Sequence, residues 1–521
     1  MKRLIITLMT FFSILMPSMA QVEKWGIFET SFTASVKGNP FDVRLTAVFS
    51  NGDRSVEVAG FYDGNSTFKI RFMPDAEGKW TYVTSSSISA LNRRKGDFNC
   101  VAPSAGNHGP VVADGLHFRY SDGTRYYPVG TTSYDWMHYP VQGYRERTIA
   151  SLKASGFNKI RSLFFLHNLQ VEYPDVYPFE KRADGSWDYS RFNPEYFSYV
   201  EKCIADLCGI GVEMDLILFH PYDGGRWGFD RMPLDVNLRY LSYITARLSA
   251  FRNVWWSLAN EFDAVKGIPL EDWDRFAARV KACDPYGHLM SVHGLTASYY
   301  NYFDPVFTHT SIQDHAPVME AGRAFTIRNI YKKPVVFDEV CYEGNSPSRW
   351  GWLSGEEMLR RMYNGLMSGT YVTHAECFNT GDHEDGTNYL AFGGDFHGES
   401  WKRIGFLRSI LDDLPAPLGL ADSSWDSYTS TAGDGYYLIY LGNEVRQEWR
   451  FDLPVKNAAY GKLGGGVKFT VEVIDTWNMT VTRDPRVFET AEPGRYRVKD
   501  VSESVVRLPA RPYMMLRIKK I

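Results

Sequence analysis

The sequence has 521 residues, a net charge of −4 and an aromatic content of 15%; at about 150 residues per domain it calls for roughly two to four domains rather than one core. The small charge and the lack of a basic stripe exclude the electrostatic footprint of a nucleic-acid binder and favour a neutral partner. Six cysteines spread over such a length exclude a disulfide framework, and with no CxxC or HExxH pattern there is no metal motif and nothing that calls for a cofactor.

Residues 1–20 combine Lys2 and Arg3, an apolar run from Leu4 to Met16, and Ser18-Met19-Ala20 before Gln21. This is the pattern of a signal peptide cut after Ala20, so the expectation is an exported protein, periplasmic or extracellular. No other stretch reaches the roughly 20 apolar residues of a membrane span. Residues 21–104 alternate apolar and polar side chains, as in Phe41, Val43, Leu45 and in Phe68, Ile70, Phe72, with turns at Asn51-Gly52 and Asp63-Gly64. That period predicts an N-terminal β-sandwich, followed by a linker over Pro103–Pro110.

Residues 105–415 change to short apolar strands alternating with amphipathic helices, which predicts an α/β fold of the (β/α)8 TIM-barrel type. Eight strands are expected at Tyr127–Thr131, Lys159–Phe165, Glu213–Phe219, Val254–Ala259, Leu289–His293, Val306–Thr310, Val335–Asp338 and Tyr371–Cys377. Helical patterns fall between several of them, at Thr148–Ser155, Pro194–Cys208, Leu238–Phe251 and Glu356–Met367. Residues 416–521 return to alternation in Tyr436–Leu441, Lys468–Ile474 and Met514–Ile518, around a turn at Gly464-Gly465-Gly466, and predict a C-terminal β-sandwich. Most cysteines read as buried thiols. Cys203 and Cys208 fall on different faces of one helical pattern, and Cys341 and Cys377, after neighbouring strands, are the pair placed to bond in an oxidising compartment.

In a (β/α)8 barrel the reactive groups stand at the C-terminal ends of strands. Two carboxyls do so here: Glu261, after Trp255-Trp256-Ser257-Leu258-Ala259-Asn260 on strand four, and Glu339, after Val335-Val336-Phe337-Asp338 on strand seven. Glycoside cleavage needs one carboxyl that holds a proton for the leaving oxygen and one that stays ionised, about 5–5.5 Å apart for retention of configuration. Strands four and seven face each other across a barrel mouth. Asp135 and Trp136, after strand one, are candidates for the cleft, Trp136 being equally a packing residue; Trp255 and Trp256 are assigned to packing. The run Asp382-His383-Glu384-Asp385-Gly386 lacks EF-hand spacing and reads as a solvated loop that shapes the cleft, so no metal is expected.

An Asn-Glu pair ending strand four with a Glu ending strand seven resembles the clan A glycoside hydrolases, particularly family 5. The resemblance implies that Glu261 is the acid/base, that Glu339 is the nucleophile and that Asn260 hydrogen-bonds a sugar 2-hydroxyl. Gly156-Phe157-Asn158-Lys159-Ile160-Arg161 resembles the family's second strand, whose Arg holds the nucleophile ionised; Arg161 could also merely neutralise a buried acid. His220, in Leu218-Phe219-His220-Pro221, and His315, after Gln313-Asp314, resemble sugar-binding histidines or are rim histidines satisfied locally. Family 5 places a Tyr beside that strand-six His and a Trp at the end of strand eight, where this sequence has Ala316 and Glu376-Cys377-Phe378-Asn379. The sandwich, barrel and sandwich order is similar to exported bacterial proteins with apiosidase-like barrels. The implied function is a retaining glycoside hydrolase acting on a polysaccharide or oligosaccharide, with an inactive carbohydrate-binding protein or a transglycosidase as alternatives.

Overall fold

The computed structural model describes residues 20–169, 171–315, 321–379, 388–422, 426–457 and 459–521. The leader and the Asp382–Gly386 run therefore lie outside the described residues, apart from Ala20.

At the centre is an eight-stranded parallel sheet. Its strands, one to eight, are Gly130–Thr132, Lys159–Leu163, Glu213–Phe219, Val254–Ala259, Met290–Ser291, Thr310–Gln313, Val335–Glu339 and Tyr371–His374. Pairing runs from strand five through four, three, two, one, eight and seven to six. A single parallel bridge, His293 to Ser311, brings strands five and six together and closes the TIM barrel. Strands three and four are buried at every position, as expected where a parallel strand has barrel interior on one face and helices on the other. The helices start at local signals. Asn193 caps Pro194–Gly209 by accepting from the Glu195 N–H, and Ser354 caps Gly355–Met367 by accepting from Glu357.

Strand six is displaced from its expected place, because Val306 and Phe307 belong to a turn in which the Asp304 side chain accepts from Val306 N at 2.8 Å. Phe307 is apolar and fully buried, but as turn packing and not as strand. Phe41 likewise lies in a 3-10 turn, Pro40–Asp42, because Pro40 fixes its first position and the Asn39 side chain accepts from Phe41 N. No disulfide joins any of the six cysteines, all of which lie among the described residues. Cys341 packs beside Arg361, whereas Cys377 faces Gly351, so the two thiols point to different neighbours and no bond joins them.

N-terminal to the barrel, a five-stranded sheet, in which Leu45–Asn51 pairs with Arg54–Ala59 and Gly78–Ser86, packs on a three-stranded sheet containing Phe28–Thr33 and Thr67–Phe72. Stacked rings fill the space between them, Phe49 on Phe72 and Phe28 on Phe98, each pair at 4.2 Å. C-terminal to the barrel, the strands Tyr436–Tyr440, Met514–Lys520 and Lys468–Asp475 lie side by side in a further antiparallel sheet. The stretch read as a linker is packed: Asn107 donates to the Lys24 carbonyl at 2.9 Å, and Gly109 lies against the Trp25 ring. Beyond it a small sheet inserts Phe118 between Trp255, His309 and Tyr371, closing the end of the barrel away from the C-terminal strand ends. No helix among the described residues is long and apolar enough to cross a membrane.

A buried ion cluster ties the N-terminal strands to the barrel helices. Glu201 accepts from Arg71 at 2.9 Å and from Arg247 at 2.5 Å, while Arg247 also reaches Asp63 at 2.8 Å. Removing one member of such a cluster leaves charge buried without its partner. Glu201→Ala is therefore expected to lower stability by about 3–5 kcal/mol, measured by urea unfolding, with Glu201→Gln costing less because it keeps the volume and an acceptor oxygen.

Candidate active site

A cavity of about 470 Å³ opens where the barrel strands end, lined by Tyr134, His167, Tyr222, Glu261, Leu295, Gln313, His315, Glu339, Tyr342, Trp350, Leu390 and Ala391. Both glutamates singled out in the sequence face it. Glu339 ends strand seven; its Oε1 accepts from the Tyr134 hydroxyl at 2.7 Å and lies 3.4 Å from the Arg161 guanidinium. His293 Nε2 approaches the same oxygen at 3.5 Å, and His315 Nε2 lies 3.8 Å from Oε2.

The floor beneath is a connected polar network. Arg161 donates to Asn260 Oδ1, and Asn260 Nδ2 donates to Tyr222 at 2.6 Å and to Tyr134 at 3.4 Å. One layer deeper, Lys159 Nζ bridges Asp215 at 2.8 Å and Asp338 at 2.9 Å. The Ser311 hydroxyl donates to Asp338 at 2.5 Å and lies 3.1 Å from His293 Nδ1. With the Ser311 proton committed to Asp338, His293 Nδ1–H must be the donor to Ser311, which fixes the ring with its Nε2 edge towards Glu339.

These surroundings separate the two acids. Burial alone would raise Glu339, but the hydrogen bond and charge of His293, the Arg161 charge and the Tyr134 hydroxyl outweigh it and hold the carboxyl well below the usual range. Glu261 is pushed up to about 7, first by burial and then by the negative charge of Glu339; the Tyr222 hydrogen bond and Arg161 pull the other way and lose. Glu261 also sits in the left-handed region at φ 48°, a conformation that costs a glutamate roughly 1–3 kcal/mol and clusters at functional sites.

Of the residues marked in the sequence, the structure brings Arg161, Asn260, Glu261, His315 and Glu339 together. Asn260 is fully buried and does not line the cavity; it reaches it through Tyr222 and Tyr134. Three others stand elsewhere. His220 is buried behind Tyr222, its ring nitrogens taken by the Phe165 carbonyl and the Tyr222 N–H. Asp135 is buried against the Tyr173 hydroxyl, with burial holding its carboxyl far above the usual range. Trp136 is a core residue whose Nε1 donates to Ser162 at 2.7 Å. The residues missed were Tyr134, Tyr222, His293, Tyr342 and Trp350. Tyr134 and Tyr222 were one or two positions from residues that were chosen, and His293 was visible as the last residue of the expected fifth strand.

A family model described as apiosidase-like, catalytic domain, matches residues 113–374. Two domains of unknown function, DUF5060 and DUF5605, match residues 21–87 and 425–519. Comparison with curated proteins gives no match. Among solved structures, a protein of Bacteroides vulgatus ATCC 8482 designated a putative glycoside hydrolase is 51% identical, with TM-score 0.93 over 96% of this chain and 100% of that one. A glycoside hydrolase family 5 protein of the same organism shares the fold at 14% identity and TM-score 0.58, over 79% of this chain and 93% of that one. The chain belongs to the apiosidase-like catalytic-domain family, on the barrel fold of clan A glycoside hydrolases.

Proposed function

We propose that this glycosidase is a retaining glycoside hydrolase in which Glu339 is the nucleophile and Glu261 the acid/base. One observation carries the reading: a single cavity holds two carboxyls whose surroundings drive their protonation apart, one to about 7 and one well below the usual range. That division is the one double displacement requires. Ionised Glu339 attacks the anomeric carbon while Glu261 gives its proton to the leaving oxygen, and the glycosidic bond breaks as the glycosyl ester forms. Water then attacks the same carbon, Glu261 takes its proton, and Glu339 leaves with the bonding pair, so the sugar regains its original configuration. The aromatic walls Tyr222, Tyr342 and Trp350 offer flat faces to a neutral sugar, which supports a polysaccharide or oligosaccharide substrate.

Screening the purified protein against a glycan panel for released reducing ends identifies that substrate and separates hydrolysis from binding alone. Glu339→Ala should then reduce turnover by about 10⁴- to 10⁶-fold, with azide restoring cleavage and giving the inverted glycosyl azide; turnover near wild-type in this variant overturns the assignment. Because Glu261 must begin protonated, kcat/KM should fall as pH rises through about 7. The opposite limb lies at low pH, where Glu339 finally takes a proton. Tyr134→Phe deletes a donor to that carboxylate, which raises its pKa. The expected result is an acid limb displaced upward and a kcat/KM lowered by about 10- to 100-fold, whereas a purely structural tyrosine would leave the acid limb in place.

A further inference from the structure

Next to the cavity wall lies a second group of titratable side chains that the reaction does not use. Glu343 follows Tyr342 by one residue, and Glu376 is its register partner in a short parallel ladder, Glu343–Gly344 with Glu376–Cys377. His374, at the end of strand eight, completes the group, and all three residues are buried. One donor atom from each lies within 4.8 Å of the others.

Most of the oxygens are satisfied by one loop. Glu343 accepts from Glu399 N at 2.6 Å, Ser400 N at 3.0 Å and Ser400 Oγ at 2.5 Å, and Glu376 Oε2 accepts from His397 N at 2.7 Å and Gly398 N at 3.0 Å. The loop passes so closely that a Cβ on Gly398 would stand 2.6 Å from both Glu343 Oε2 and Glu376 Oε1. Two atoms remain. Glu376 Oε1 and His374 Nε2 face each other at 3.7 Å, and neither has a hydrogen-bond partner among the described residues. Thr131 Oγ1 lies 3.1 Å from the imidazole Nδ1, and in the tautomer whose Nδ1–H donates there Nε2 presents a bare lone pair.

Two acceptors turned towards each other in a dry site repel unless something positive lies between them. A shared proton needs a separation of about 2.7–3.2 Å, which 3.7 Å exceeds. Two ligands on one ion, each at about 2.0–2.2 Å, stand roughly 3–4 Å apart. Three other buried carboxylates of this barrel have a full cation beside them, Asp215 and Asp338 with Lys159 and Glu339 with Arg161. Here no Lys or Arg among the described residues forms an ion pair with Glu376; Lys402, half-exposed, is paired with Glu399.

We propose that Glu343, His374 and Glu376 bind a divalent cation of the zinc type, one imidazole nitrogen and two carboxylate oxygens forming the protein ligands. Imidazole with carboxylates suits zinc and its first-row neighbours better than calcium or magnesium, which take oxygen throughout. The ion joins the ladder after strand seven, the end of strand eight and the loop 397–400, beside Tyr342 and Trp350 of the cavity wall. Its role is structural, since its ligands touch neither Glu261 nor Glu339.

The test compares wild-type with Glu376→Gln, which keeps the shape and the acceptor for the two loop N–H groups. Each is stripped with a chelator, dialysed against zinc chloride and analysed for bound metal and for Tm; magnesium chloride serves as the control. The expected result is one more equivalent of zinc on the wild-type protein than on the variant. Zinc at about 100-fold over Kd should raise the wild-type Tm by about 2–5 °C, with no such rise in the variant or with magnesium. Because the variants are compared in zinc content, ions held on exposed histidines cancel. Equal zinc content and equal Tm response in the two proteins overturn the proposal and leave a protonated carboxyl pair in its place; a folding failure of Glu376→Gln is replaced by the same comparison on Glu343→Gln.

Discussion

A guanidinium with no access to water governs this barrel mouth. Arg161 is fully buried, and the penalty for leaving such a charge unpaired amounts to several kcal/mol, so its neighbours are constrained to be acceptors. Glu339 answers as a carboxylate and Asn260 with its carbonyl oxygen. Once Asn260 turns Oδ1 to Arg161, its amide hydrogens must face Tyr222 and Tyr134, which removes the usual ambiguity of an amide. Tyr134 then accepts from Asn260 and has its own hydrogen free for Glu339. The direction of each hydrogen bond follows from the position of one cation.

Lys159 performs the same service one layer down, where Asp215 and Asp338 would otherwise be buried acids without a counter-charge. Asp338 precedes Glu339, and strict alternation would send the two carboxyls to opposite faces. The pairing with strand six instead shifts register between Ile312 and Gln313, and both stay inside the barrel, Asp338 on Lys159 and Glu339 on Arg161. The deeper one fixes Ser311 and, through it, His293, whose other edge meets Glu339. Glu261 stands outside this chain of donors. Its left-handed backbone lifts it above the floor towards Tyr222, where burial favours the neutral acid. Two glutamates of equal intrinsic acidity are separated by which of them the buried cations can reach.

Much of this was legible in the amino-acid order. Strands three and four were bounded correctly because parallel strands buried on both faces read as unbroken apolar runs between turn signals. Glu261 and Glu339 were legible as strand-end acids, a placement that needs only the strand boundaries. Strand six was misplaced because Phe307 is as apolar as any strand residue, and only the Asp304 turn reveals that it packs from a loop. The choice between neighbours was also hidden. Asp135 and Trp136 look more functional than Tyr134, and His220 more than Tyr222, yet beyond a strand end the chain leaves the regular alternation, so composition gives no rule for which side chain turns inward.

The tyrosine contact shows what kind of information a fold family carries and what kind it does not. Family 5 places a tyrosine beside the strand-six histidine, and this sequence departs from it with Ala316. Tyr134, from the end of strand one, brings its hydroxyl to 2.7 Å of the Glu339 carboxylate. What the carboxylate requires is an O–H within hydrogen-bond reach, and a closed barrel can supply it from any strand whose end overlooks the mouth. Conversely, the end of strand eight, where family 5 has a Trp, carries the buried Glu376, while Trp350 comes to the cavity from the segment after strand seven. Function in such a barrel is therefore held at the level of atoms around the mouth, and the assignment of each atom to a strand is free to change as long as the buried cation beneath keeps its partners.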